Sequence, residues 1–231
     1  MNKGRTRARA FGFSLVMALG LIASMAAGAQ ASEKSWLVSG ADIASNQLVE
    51  VSAHKEFILD VEKENNLEIL CLRVSGDDVL LVASTTTATG KLLFSECDVY
   101  QNGVLSTACS PPNIAEPITV SSKSKLILSG GKNYILFEPE VAGGNLAQIK
   151  FKPPCSLPET NNVKGTFVAE CLKASTLEAV DCKQEEQTHL LQQAPAASFA
   201  EDKITYGTKE ARLLGVAALQ LTSGAAWCGH V

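Results

Sequence analysis

Short apolar runs separated by tight-turn residues dominate this sequence, and they confine it to mostly β architectures. Segments rich in Val, Ile and Leu occupy residues 36–43, 47–51, 56–61, 67–74, 79–83 and 91–100. Turn signals stand among and after them at Gly76-Asp77-Asp78, Asn102-Gly103, Ser129-Gly130-Gly131 and Gly143-Gly144-Asn145. Such residues tolerate positive φ and tight hydrogen-bonded turns, so they predict hairpins. Between the last two signals, residues 133–140 set Tyr134 and Leu136 against Ile135 and Phe137, the period of two of a strand. Beyond them, Ile149 and Phe151 share one side of a run over 146–151. Connections this short cannot hold helical crossovers, so the pairing is expected to be antiparallel. The fold class that follows is mainly β: an antiparallel β-sandwich, or two small β-domains built from hairpins, stabilised by disulfides.

The second half is less regular. Pro153-Pro154-Cys155-Ser156-Leu157-Pro158 and the polar residues after it cannot continue a central strand. They divide a β-rich domain over 32–154 from a smaller β-rich domain, or a continuation of the same sandwich, over 155–231. Strand-like runs follow at 165–172, 179–183 and 204–206. The long apolar stretch over 211–221 is interrupted by Gly215 and then alternates from Ala218 to Thr222, which favours strand over helix. A short helix is expected at 187–194, with a brief strand over 188–191 as the alternative. Ser198 and Glu201 have the spacing of a capping box for another short helix.

The first 31 residues have the pattern of a cleavable export leader. Lys3, Arg5, Arg7 and Arg9 precede an apolar run over 11–25, and two small-residue exits follow, Ala27-Gly28-Ala29 and Ala29-Gln30-Ala31. The run is short for a bilayer span, and no second one is long enough, so no membrane span is expected after cleavage. Export implies a periplasmic or secreted protein. The leader holds four of the 20 basic residues, leaving 16 against 24 acidic ones, a formal net charge of −8. That balance disfavours nucleic acid, which needs a positive footprint.

Seven cysteines in an exported chain read as a disulfide framework with one left over. Glu96-Cys97 and Glu170-Cys171 are each followed, after eleven and ten intervening residues, by Cys109 and Cys182. Two ribbons each closed by a bridge, Cys97 to Cys109 and Cys171 to Cys182, are expected on that pattern. The first needs a three-residue loop or a bulge, because a two-residue loop at Asn102-Gly103 sets Cys97 opposite Ala108. Cys155 and Cys228 are then expected to tie the tail to the body, leaving Cys71 as a small core residue.

Chemistry is sparse. His54, His189 and His230 are far apart, and none belongs to a metal-ligand motif. No C-x-x-C pair is present, nor a G-x-S-x-G nucleophile elbow. Ser122 and Lys125 match S-x-x-K, but the segment looks extended and would turn them to opposite faces. Asp77 and Asp78 supply only a start towards the six to eight oxygens of a calcium site. Trp36 and Trp227 are expected to seal the ends of the core. No catalytic, cofactor or metal residues are assigned. The expected function is that of an exported non-catalytic binding or structural protein of the cell envelope or extracellular space, with an unknown protein or cell-surface partner. The alternative is a secreted hydrolase whose triad converges from distant loops.

Overall fold

The alternation of inward and outward side chains continues through strands far longer than the apolar runs suggest. A computed structural model describes residues 35–61, 66–129, 132–171, 187–194, 199–200 and 202–230. Within them the strands are β1 (Ser35–Val38), β2 (Ala41–Asp42), β3 (Gln47–Val61), β4 (Leu67–Leu81), β5 (Thr87–Gln101), β6 (Val104–Leu105) and β7 (Ile118–Ser129). The series continues with β8 (Lys132–Pro139), β9 (Asn145–Lys150), β10 (Thr160–Cys171), β11 (Thr188–Gln193), β12 (Lys203–Tyr206), β13 (Lys209–Leu221) and β14 (Trp227–His230). The described residues contain no helix, and hence none long and apolar enough to cross a membrane. The mainly β, antiparallel, disulfide-tied class read from the sequence is the one observed.

The main sheet closes on itself. Strand β5 pairs with both β4 and β7, so the ladder β5–β4–β3–β13–β11–β10–β8–β7 returns to its start. A second ring uses the same six long strands but replaces β11 and β8 by β12 and β9. The two rings are stacked. In the upper one, β13 meets β11 from Ala217 to Gln220; in the lower one it meets β12 from Lys209 to Ala211. Closure removes the long unpaired edges that invite aggregation, and eight strands give an interior that side chains can nearly fill. The Pro-rich segment at 153–158 runs between β9 and β10, and β10 pairs with both β8 and β9. Strands from both sides of that segment therefore share one sheet.

Bulges at the waist let six long strands serve both rings. The register slips in β13 around Gly215, whose φ of +143° and close approach to Phe57 leave no room for a Cβ. In β10, Gly165 has φ +100°, and a Cβ there would lie 1.8 Å from the Lys203 carbonyl oxygen. Each glycine lets a strand bend where it changes partner. The Gly76-Asp77-Asp78 signal marks a third irregularity, in a strand that keeps both its partners, β3 and β5. Instead of the expected hairpin turn, it forms a bulge within β4, between Asp77 and Leu80. The turn joining β4 to β5 lies at residues 82–86, closed by Val82 N–H donating to Thr87 O at 3.0 Å.

The apolar core follows the rings. Phe57 and Phe94 meet edge to face at 5.3 Å, and Phe137 and Phe167 stack at 4.5 Å. Phe57, Phe94 and Phe167 border both interior cavities, of about 60 Å³ below and about 80 Å³ above. The helix expected over 187–194 is the strand β11, as in the alternative reading: Thr188 to Leu191 pair with Gln220 to Ala217 of β13. Tertiary pairing overrides the weak helical preference of so short a segment. The leader, the run over 179–183 and the capping pair Ser198 and Glu201 lie outside the described residues.

The cysteine pairing differs from the expected one. Cys71 and Cys97 stand directly opposite each other on β4 and β5, with Cα atoms 3.9 Å apart, and are bonded. Cys109 is bonded to Cys155. The Asn102-Gly103 turn is a two-residue loop with φ of 53° and 72°, pairing Gln101 with Val104. The extra residue that a Cys97–Cys109 bridge needs is absent, and β6 ends at Leu105 before the chain turns away. A Cys155–Cys228 bridge is excluded as well: Cys155 lies beneath the lower ring, and Cys228 sits in β14 at the upper end, where it too is disulfide-bonded. Cys71 is thus a cross-link and not a lone core thiol. Of the expected bridge between Cys171 and Cys182, Cys182 lies outside the described residues.

Candidate functional site

The upper end of the barrel is sealed. Strands β14, β1 and β2 form a small separate sheet there, with Trp36 opposite Gly229 and Val38 opposite Trp227. The two tryptophans pack at 5.9 Å and are almost wholly buried. Trp36 Nε1 donates to Thr87 O at 2.8 Å, and Trp227 Nε1 to Gln187 O at 3.2 Å. The other edge of β14 is covered by side chains: Asn133 Nδ2 donates to Gly229 O at 2.9 Å, and His189 Nε2 to Trp227 O at 2.6 Å. A buried indole or imidazole needs such a partner, and here each partner is a carbonyl.

Those bonds decide what His189 can do. Its Nε2 is committed as a donor to a backbone carbonyl, and its ring meets Trp227 edge to face at 4.4 Å. It is therefore part of the seal. His54 lies on the outer surface of β3, within the stretch where the register slips. Ser122 and Lys125 lie on an extended strand; the serine is buried, and the lysine pairs outside with Glu138 at 3.2 Å. Among the described residues, no group of three or more His, Cys, Asp or Glu side chains is placed to hold a metal ion.

Two concave surfaces stand out among the described residues. On the outside of the upper half, β4, β3, β13 and β11 form a groove of about 520 Å³. It is bordered by Glu50, Asp77 and Asp78, with Ser52, Thr188 and Gln220 between. Alternation places Glu50 and Ser52 there because Val49 and Val51 point into the core. The Asp77-Asp78 bulge adds its carboxylates beside them. The volume falls in the range of small-ligand clefts, but the walls are polar and open.

The second lies beneath the lower ring. A cavity of about 240 Å³ is lined by Val61, Leu67, Gln101, Leu157, Pro158, Asn161 and residues 206–209. The segment holding Leu157 and Pro158 is tied to the β5–β6 side by the Cys109–Cys155 bridge. Gln101 Nε2 lies 3.4 Å from Cys109 Sγ, and Asn161 Nδ2 donates to Pro158 O at 2.7 Å. Tyr206 is 7% exposed, and its hydroxyl has no hydrogen-bond partner. Burial pushes its phenol well above the ordinary range, so it stays a neutral donor. Nothing in the sequence marks this cavity beyond the strand alternation of Ile204 and Tyr206, because its walls come from five separate stretches of chain.

One further buried acid stands apart from both surfaces. Asp202 Oδ1 accepts from Gln193 Nε2 at 2.8 Å and from the Val168 N–H at 3.4 Å, while Oδ2 has no partner. Burial raises its carboxyl above the usual range, against the lowering effects of Gln193, Val168 and Arg212. It sits where β10 changes partner from β12 to β11, and it reads as a joint between the rings. Comparison with protein-family models, curated proteins and solved structures gives no match.

Proposed function

We propose that the chain is an exported, non-catalytic binding protein of the cell envelope or extracellular space, presenting the outer groove to a protein or cell-surface partner. The observation that carries this reading is the oxidised state of five cysteines: Cys71 with Cys97, Cys109 with Cys155, and Cys228 also in a disulfide. Structural disulfides persist in oxidising compartments and are rare in the cytosol. The leader pattern over residues 1–31 points the same way. A binding role is supported by the polar groove and by the use of His189 and the described cysteines to hold the scaffold together. The barrel offers a rigid frame on which such a surface keeps its shape.

Mass spectrometry of the protein recovered from cells, with thiols alkylated before reduction, tests this reading. The expected result is a new N-terminus after Ala29 or Ala31, with intact peptides linking Cys71 to Cys97 and Cys109 to Cys155. An uncleaved chain with alkylated, reduced cysteines overturns it.

A further inference from the structure

A lysine stands on the inner face of the barrel at its lower mouth. Lys209 precedes Ala211 and Leu213 on the inward side of β13, a register that elsewhere holds core residues. Val61, Leu67 and Gln101 extend the inward sides of β3, β4 and β5 to the same level, since Ala211 pairs with Val61, Val61 with Leu67, and Leu67 with Gln101. Together with Leu157 and Pro158 they border the cavity of about 240 Å³, and among its described lining residues Lys209 alone carries a charge. Lysine mostly stays on outer surfaces; here it is half-buried, whereas the next residue on the outward side, Glu210, is exposed. Lys209 already takes part in another interaction, but an ammonium carries three N–H donors, so a guest oxygen can share it. Val61, Leu67 and Leu157 add an aliphatic wall. A cavity of about 150 Å³ accepts a benzene-sized guest, so about 240 Å³ is room for one ring with a substituent. Pro158, Gly207 and Thr208 at the rim are exposed, which lets a charged head stay close to water.

We propose that the lower mouth binds a small monocarboxylate with a compact aliphatic body, its carboxylate on the Lys209 ammonium and its hydrocarbon against Val61, Leu67 and Leu157. A neutral analogue forfeits the charge-assisted hydrogen bond, and a short acid forfeits the apolar wall. An amine of the same shape brings a like charge to the lysine. This goes beyond the partner-binding reading of the outer groove and does not rest on it.

NMR titration of the intact oxidised protein at pH 7 tests it, with the amides of Gly207 and Thr208 as reporters. The probes are cyclohexanecarboxylate, cyclohexanol, acetate and cyclohexylammonium. Saturable shifts are expected with cyclohexanecarboxylate, binding about tenfold weaker with cyclohexanol and acetate, and none with the ammonium. Lys209→Met, which keeps most of the stem, should bring the carboxylate down to the level of cyclohexanol, and Lys209→Arg should retain it. Leu157→Trp, which fills the cavity from its rim, should abolish the shifts. No saturable shift with cyclohexanecarboxylate overturns the proposal. So does carboxylate affinity unchanged in Lys209→Met, or wild-type binding of cyclohexanol or cyclohexylammonium as tight as that of the acid, a comparison that needs no variant to fold.

Discussion

The two ends of this barrel solve the same problem in opposite ways. Above, the ring is capped by paired strands from distant parts of the chain, with two buried tryptophans and each indole N–H on a carbonyl. Below, it is crossed by an irregular segment held by one disulfide, and a cavity remains with a buried hydroxyl unsatisfied. A cap made of strands satisfies its own backbone and leaves little space. A strap satisfies itself less completely and leaves room. The upper end is thus closed by paired strands, and the lower end keeps a cavity.

Substitutions at the cap should be the most costly. Trp36→Ala or Trp227→Ala should cost about 3–5 kcal/mol in urea unfolding, as for other buried aromatics. Leu157→Ala at the strap, where the side chain is only half buried, should cost less than half as much. Equal losses would erase the contrast between the ends. The bridge ranks close behind. With its ends at a sequence separation of 46, removing Cys109–Cys155 by serine substitution should cost about 4 kcal/mol on the chain-entropy account. Amide exchange should then rise in residues 151–159 while β1 and β14 stay protected.

Asp202 gives a smaller, pH-dependent effect. Its folded-state pKa lies above the unfolded value, so the native state holds the proton to higher pH. This group's contribution to stability is therefore fully present below about pH 4 and is lost as pH rises through the raised native value, at no more than about 1.4 kcal/mol per pH unit. Asp202→Asn should flatten that slope in unfolding measured from pH 4 to 7. Tyr206→Phe should matter least: removal of an unpaired hydroxyl should leave stability within about 1 kcal/mol or raise it slightly. A large loss would mean that the hydroxyl has a structural partner.

Much of the fold was legible wherever alternation and turns agreed. Asn102-Gly103 forms the two-residue hairpin its composition predicts, and the runs containing Ile149 and Leu219 are strands. Strands β3 and β4 were each legible only as two pieces, because the slips between Ser52 and Phe57 and at Asp77 break the period of two. The cysteines misled for a related reason. A repeat in sequence suggested bridges within ribbons, whereas Cys97 faces Cys71 across a hairpin whose turn lies at residues 82–86. The lower cavity was illegible because Gln101, Leu157 and Tyr206 meet only once the ring closes.

The pairing of Ser35 with His230 also sets a timetable. The cap cannot assemble until residue 230 has emerged, and contacts this far apart in sequence form slowly. The bridged loops, 71–97 and 109–155, follow one another without interleaving. Both can therefore close in order along the chain while the upper ring still stands open, before β14 takes its place against β1.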